Sequence, residues 1–124
     1  MSRPAIPNDQ RLIVALDLPS GNEARELVET LGDSVSFYKV GLELFTGADG
    51  FAVVDWLSAH DKQVFVDLKF FDVPATVARA VKQLRGRNIT FATVHGNDAI
   101  MRAAAEVSGD VGILAVTVLT SLDS

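Results

Sequence analysis

The segment QVFVDLKFFDVPATV, residues 63–77, joins an apolar run of strand type to the start of a helical pattern. Val and Phe dominate its first half, as in a strand that is buried on both faces. Asp67 and Lys69 nevertheless stand near the end of this run, and Asp72 follows three residues after Lys69. Isolated charges are costly in a protein interior. The pattern therefore predicts that this strand ends at a polar site.

The same alternation of strand-type and helix-type segments runs along the sequence. Four segments with apolar positions three or four residues apart separate five short apolar runs. The runs are LIVALD (12–17), VSFYKV (35–40), VFVDLK (64–69), TFATVH (90–95) and VGILAVTVL (111–119), and the helical segments are 21–32, 47–60, 73–86 and 97–109. This (βα)₄β order predicts an α/β fold, with a parallel sheet covered by helices. No linker interrupts residues 1–124, so a single domain is expected.

Polar residues at the predicted strand ends separate two possible architectures, an open doubly wound sheet and a closed (β/α)₈ barrel. In both folds the carboxyl ends of the strands carry the active site, and in barrels several strands contribute to it. A doubly wound nucleotide fold would more often show a glycine-rich turn after the first strand, but ALDLPSGNEA (15–24) has one Gly. The barrel is favoured. The polar strand ends are Asp17, Lys39, Asp67 with Lys69, and His95, and Thr120 follows the fifth strand.

Period two places Asp67 and Lys69 on one face of their strand, with β-carbons on the order of 7 Å apart. Val64, Val66 and Leu68 then take the opposite face, where helices would cover them. An array of alternating Asp and Lys can keep each member ionised through its neighbours. The end of this strand is therefore a candidate reaction centre.

Structural roles are the alternative for each of these residues. Asp67 and Lys69 could form an ion pair without catalytic purpose, and Asp17 could cap the first helix. Asp72 could be the N-cap of the next helix, because Pro74 fits a first turn. A lone His95 is more often a hydrogen-bonded core histidine than a base or a metal ligand.

Composition limits the function classes. Sixteen acidic and eleven basic residues give a net charge of −5, which argues against nucleic acid or an anionic membrane as a partner. There is no cysteine, so a disulfide framework and a thiolate metal site are excluded. No apolar stretch approaches the length of a membrane span. These features predict a soluble cytoplasmic protein.

The motifs resemble the N-terminal half of the orotidine 5′-phosphate decarboxylase family, (β/α)₈ barrel enzymes of pyrimidine nucleotide synthesis. The matching segments occur in the family's order: VALD (14–17), YKVGLELF (38–45), DLKFFDVPAT (67–76), VH (94–95) and AVTVLTS (115–121). The D-x-K-x-x-D core is shared with sibling phosphosugar decarboxylases and hexulose-phosphate synthases, whereas D-V-P-x-T and VLTS are similar to the nucleotide enzyme. The resemblance implies decarboxylation of orotidine 5′-phosphate to UMP without a cofactor or metal.

The resemblance assigns roles in catalysis and ribose binding to four residues. Lys69 resembles the donor that delivers a proton to C6 of the pyrimidine, and Asp67 resembles the carboxylate that faces the substrate carboxylate. Asp17 and Lys39 are similar to the pair that contacts the ribose hydroxyls and completes the charged array.

Four further residues resemble substrate contacts of the family. Asp72 and Thr76 are similar to residues that reach across a dimer interface into the partner's site, and Asp72 belongs to the charged catalytic set. Thr120 and Ser121 resemble contacts to the nucleotide base.

The number of strands predicts half of a barrel. Closed barrels of this type need eight strands in roughly 200 to 250 residues, and this sequence of 124 residues provides five. In the family the C-terminal half carries the phosphate-gripping loop and the arginine that binds the 5′-phosphate. A non-catalytic folding and association module is therefore expected, with a weakly active decarboxylase as the alternative. A sibling phosphosugar enzyme, revealed by a Mg²⁺ requirement, is the other catalytic alternative.

The outer strands of such a half-barrel predict self-association. The first and fifth strands would keep unpaired N–H and C=O groups and uncovered apolar faces. A homodimer or a larger homo-oligomer would cover both.

Overall fold

The computed structural model describes residues 11–47 and 50–117, in which five strands alternate with helices. The strands follow the order β1-β2-β3-β4-β5 in the sheet, and β1–β2 and β4–β5 pair in parallel. The predicted α/β fold with parallel strands is confirmed. Strands β1 to β5 are Val14–Ala15, Phe37–Gly41, Gln63–Phe70, Phe91–His95 and Gly112–Val116, and helices α1 to α5 are Gly21–Leu31, Leu42–Thr46, Gly50–Ala59, Pro74–Leu84 and Asp98–Val107.

Helix α2 was not expected from the sequence. It begins directly after β2, with Gly41 as an N-cap in extended conformation and no side-chain cap. Five residues are too few to show a helical period, so the pattern of LELF could not be separated from the preceding strand. Strand β1 is also shorter than predicted, and Leu12 and Ile13 before it are 59% and 40% exposed.

The chain divides into two compact units, and the division falls between Phe65 and Val66, within β3. In the first unit α1 contacts α3. Ser20 caps α1, since its hydroxyl accepts the Glu23 N–H at 3.3 Å. The buried apolar side chains of this unit come from strands and helices alike: Leu16, Ala24, Val28, Val35, Phe37, Tyr38, Val40, Leu44, Val53, Val54, Leu57 and Val64.

The second unit is built around a shared core of α4, α5 and β4. Phe70 at the end of β3 packs against this core, as do Met101, Val107 and Ile113. Burial of each large aliphatic side chain contributes about 1.5–3 kcal/mol, so this cluster fixes both helices on the sheet. The buried members of the cluster are Val77, Val81, Val94, Ile100 and Ala104.

Candidate active site

Asp67 and Lys69 form an ion pair at the end of β3. Lys69 Nζ lies 2.9 Å from Asp67 Oδ2, and the Lys69 side chain is 45% exposed while that of Asp67 is 12% exposed. Val64 and Val66, on the opposite face of β3, are fully buried as the period predicts, whereas Leu68 is only half-buried. The ammonium therefore lies at the border of solvent, where a ligand could reach it.

Thr93 on β4 holds this pair from within the unit. Its Oγ1 donates to Asp67 Oδ1 at 2.8 Å and accepts the backbone N–H of Lys69 at 2.9 Å. Thr93 is not among the site residues predicted from the sequence. The available signal was its place in TFATVH, where a threonine stands between the fully buried Ala92 and Val94. Such a hydroxyl needs a partner, because an unpaired buried polar group is costly.

Lys69 also has an unusual backbone conformation. Its φ of 49° lies in the left-handed region, although β3 continues to Phe70. This conformation costs a residue with a β-carbon about 1–2 kcal/mol. The regular period assumed for Asp67 and Lys69 is thus interrupted at Lys69. A strained residue that carries the candidate proton donor is typical of functional sites.

An aromatic pair lies beside the end of β3. The rings of Phe71 and His95 are 4.2 Å apart between centroids and inclined by 36°. Phe71 is 70% exposed. His95 Nδ1 is buried and has no hydrogen-bond partner among the described residues.

Asp72 and Thr76 interact with neighbours along the chain. Asp72 Oδ1 accepts the Val73 N–H at 2.6 Å, and Thr76 Oγ1 accepts Arg79 Nη2 at 3.1 Å. The N-cap of α4 is Val73, which provides no side-chain cap, and Pro74 opens the helix as expected. Asp72 is therefore not the N-cap that its position suggested, and it is exposed.

Asp17 and Lys39 belong to the first unit. Lys39 is half-buried on β2 in register with Ala15, and its carbonyl accepts the Leu16 N–H at 2.9 Å. Asp17 follows β1 and is exposed. It does not cap α1, because Ser20 does.

Gly41 lies beside the carboxylate of Asp17. A β-carbon at Gly41 would lie 3.6 Å from Asp17 Oδ1, which is ordinary contact distance. The two other residues predicted to contact substrate, Thr120 and Ser121, lie outside the described residues. The structure therefore gives the setting of six of the eight predicted residues.

Two further properties concern ligands and membranes. Within residues 11–47 and 50–117, no three His, Cys, Asp or Glu side chains lie close enough together to hold a metal ion. Over the same ranges no helix is both long enough and apolar enough to cross a bilayer.

The fold and the charged strand end define the class of this protein as a parallel α/β protein of barrel type. Residues 10–124 match the model of the orotidine 5′-phosphate decarboxylase / HUMPS family. The chain belongs to that family, and the resemblance stated from the sequence is confirmed.

Individual relatives agree with this assignment. The chain is 70% identical over 123 residues to orotidine 5′-phosphate decarboxylase of Methylococcus capsulatus, covering 99% of this chain and 51% of the relative. It thus spans about half the length of the curated relatives it matches.

Solved structures give the same result for the fold. The enzyme of that name from Lactobacillus acidophilus has a TM-score of 0.83 at 36% identity, covering 92% of this chain and 55% of the other. That from Methanocaldococcus jannaschii, complexed with the inhibitor BMP, has a TM-score of 0.73 at 26% identity, covering 84% and 51%. The predicted fold class, half of a (β/α)₈ barrel, is confirmed.

Proposed function

We propose that this chain supplies the catalytic lysine and aspartates of an orotidine 5′-phosphate decarboxylase, which forms UMP in pyrimidine biosynthesis. One observation carries the proposal: the Lys69 ammonium is held 2.9 Å from Asp67 at a solvent-accessible strand end. The names of the relatives support it. A lysine in this setting can provide both a positive charge and a proton to a bound anion.

The proposed reaction needs only these side chains. The bond between C6 and the substrate carboxylate breaks, CO₂ leaves, and the electron pair remains at C6. Lys69 Nζ donates a proton to C6, and the neutral amine regains a proton from water. Before the transfer, the ammonium stabilises the negative charge that develops at C6. Electrostatic stabilisation of this kind accounts for much of the rate enhancement of many enzymes.

Asp67 has two roles in this proposal. Its Oδ2 keeps the ammonium of Lys69 oriented. Its negative charge would also face the substrate carboxylate, where repulsion is relieved as CO₂ departs. Lys69 and Asp67 are therefore assigned to catalysis.

The remaining predicted residues bind the nucleotide in this proposal. Asp17 and Lys39 contact the ribose hydroxyls, and Lys39 and Asp72 complete the charged catalytic set. Thr76 acts with Asp72 on the site of a partner subunit, and Thr120 with Ser121 contacts the base.

The chain alone is proposed to have little or no activity. It spans about half of its relatives, and the family's C-terminal half carries the 5′-phosphate contacts. Binding energy from such remote groups lowers the barrier at the reacting carbon, so their loss reduces turnover as well as affinity. A non-catalytic folding and association module therefore describes the isolated chain best.

We propose a homodimer or larger homo-oligomer as the assembled form. Phe71 and Val73, on either side of Asp72, are 70% and 64% exposed. Large apolar side chains grouped at the surface are typical of interaction sites. This supports association through the segment that carries Asp72. A cytoplasmic location is part of the same proposal, as expected for de novo pyrimidine synthesis.

A chimera tests the decarboxylase assignment. Residues 1–124 would be joined to the C-terminal half of the Methylococcus capsulatus relative, whose matched half is 70% identical to this chain. Loss of the ultraviolet absorbance of orotidine 5′-phosphate is expected with the chimera and not with the chain alone. A chimera that folds but leaves the absorbance unchanged would exclude the proposed function.

The second candidate function is the sibling phosphosugar reaction, because the description of the family names HUMPS beside the decarboxylase. Activity of the chimera on a phosphosugar with dependence on Mg²⁺ would favour that sibling reaction. The decarboxylase proposal expects turnover that EDTA leaves unchanged.

A further inference from the structure

Thr93 is a buried threonine, with 5% exposure. It lies on β4 between two fully buried apolar residues, Ala92 and Val94. A valine would fill the same volume in such a strand. The hydroxyl therefore requires an explanation beyond packing.

The chemistry of its two partners fixes the direction of both hydrogen bonds. The Lys69 backbone N–H can only donate, so Thr93 Oγ1 accepts it at 2.9 Å. The ionised Asp67 carboxylate can only accept, so the single hydroxyl proton points to Asp67 Oδ1 at 2.8 Å. One hydroxyl is thus bonded at the same time to the backbone of the lysine and to the side chain of its aspartate.

These bonds act where β3 departs from regular geometry. Lys69 has a φ of 49°, and its amide is held by a side chain rather than by a strand backbone. Asp67 is held at both oxygens, with Oδ1 on Thr93 and Oδ2 on Lys69 Nζ. The direction of the lysine backbone and the orientation of the carboxylate therefore depend on the same hydroxyl.

We propose that Thr93 is a positioning residue for the reaction. It fixes the Lys69 ammonium through two hydrogen bonds, one with the Lys69 backbone N–H and one with the Asp67 carboxylate. This inference rests on the proposed function of Lys69. Thr93 is itself too buried to touch a substrate, so it acts on the chemical step and not on binding. A small misplacement of a proton donor is enough to slow a reaction strongly.

Two variants of similar size separate this role from packing. Thr93→Val keeps the branched shape and removes the hydroxyl, which leaves the Lys69 N–H and Asp67 Oδ1 without this partner. Thr93→Ser keeps the hydroxyl and removes a methyl group. Positioning predicts that Ser is tolerated and Val is not, whereas packing predicts the reverse order.

The first measurement uses the chain as it stands and needs no activity. Hydrogen exchange of the Lys69 amide, followed by NMR, should become about tenfold faster in Thr93→Val, since a hydrogen bond is lost. In Thr93→Ser it should stay within about threefold of the parent. Equal protection in the parent and in Thr93→Val would overturn the proposal. If Thr93→Val does not fold, Thr93→Ala provides the variant without a hydroxyl.

The second measurement uses the chimera. Thr93→Val should lower kcat by about 10- to 100-fold with KM within about twofold, and Thr93→Ser should restore most of kcat. A change confined to KM, or a better rate with Val than with Ser, would overturn the positioning role. A parent chimera without decarboxylase activity would instead overturn the proposed function, and the exchange experiment would still decide whether Thr93 holds Lys69.

Discussion

Lys69 Nζ lies 2.9 Å from Asp67 Oδ2, yet the ammonium side chain is 45% exposed and the carboxylate only 12%. An ion pair with one largely solvated partner contributes about 1 kcal/mol or less to stability. Stability therefore does not explain why β3 ends in these two charges. The arrangement is suited to a lysine that meets a ligand from solvent while its counter-ion stays fixed behind it.

Replacement of the lysine tests this interpretation. In the chimera, Lys69→Ala is expected to lower kcat by about 10³-fold or more, since the proposed proton donor and its charge are lost together. The melting temperature should change little, because the pair adds little stability. Unfolding of Lys69→Ala, with unchanged activity in the fraction that remains folded, would favour a purely structural ion pair.

Lys62 offers a matched control for that experiment. Its Nζ donates to the carbonyls of Gly32 and Val35, both at 2.9 Å, in the first unit. Lys62→Ala should therefore lower stability by about 1–3 kcal/mol, because two carbonyls lose a charged donor. The kcat of the folded chimera should be unchanged. Lys69→Ala should thus lower activity and leave stability nearly unchanged, whereas Lys62→Ala should lower stability and leave activity unchanged.

Binding of the nucleotide by the chain alone should be weak. The net charge of −5 does not attract a phosphate dianion. We expect a Kd for orotidine 5′-phosphate no tighter than about 1 mM, equivalent to about 4 kcal/mol. Isothermal titration calorimetry measures this directly, with the chimera as the positive control. Micromolar binding by the chain alone would reveal a phosphate site within residues 1–124.

Substitutions at Val73 test the proposed self-association. Val73 is 64% exposed, and it is the N-cap residue of α4 but provides no side-chain cap. Val73→Asp should add a helix cap worth about 1 kcal/mol and place a charge on the apolar surface. The light-scattering mass should then fall toward the 13.3 kDa of one chain. Val73→Thr is the control, because it adds a cap without a charge and should keep the parent mass. A parent that is already monomeric at micromolar concentration would contradict the proposed assembly.

The buried phenol of Tyr38 is expected to make the stability of the fold depend on alkaline pH. Desolvation by burial raises the pKa of the Tyr38 phenol above its usual 10.0, and its hydroxyl has no hydrogen-bond partner among the described residues. The unfolded chain then loses this proton before the folded chain does. The contribution of the Tyr38 phenol to the free energy of unfolding is complete below about pH 10 and decreases as the pH rises above about 10.

Tyr38→Phe should remove this dependence. The variant deletes a buried hydroxyl without a partner, so its stability at pH 7 should match or exceed that of the parent to within about 1 kcal/mol. Urea unfolding at pH 7 and above pH 10 provides the measurement. The same alkaline loss of stability in Tyr38→Phe would assign that loss to another group.

The sequence by itself determined the order of the elements and the location of the charged strand end. Periods of two and of three to four residues are local properties of the chain, and β2 to β5 and the four long helices follow them. Asp67 and Lys69 are two residues apart, so their meeting also depends on short-range geometry. The family motifs are contiguous segments for the same reason.

The tertiary structure decided how the lysine is held. Thr93 lies 24 residues from Lys69 and 26 from Asp67, and no pattern within β4 indicates which atoms its hydroxyl meets. The left-handed conformation of Lys69 is equally invisible in a sequence whose period predicts an extended strand. The position of the Thr93 hydroxyl beside Lys69 and Asp67 is set by the packing of whole elements and not by adjacent residues.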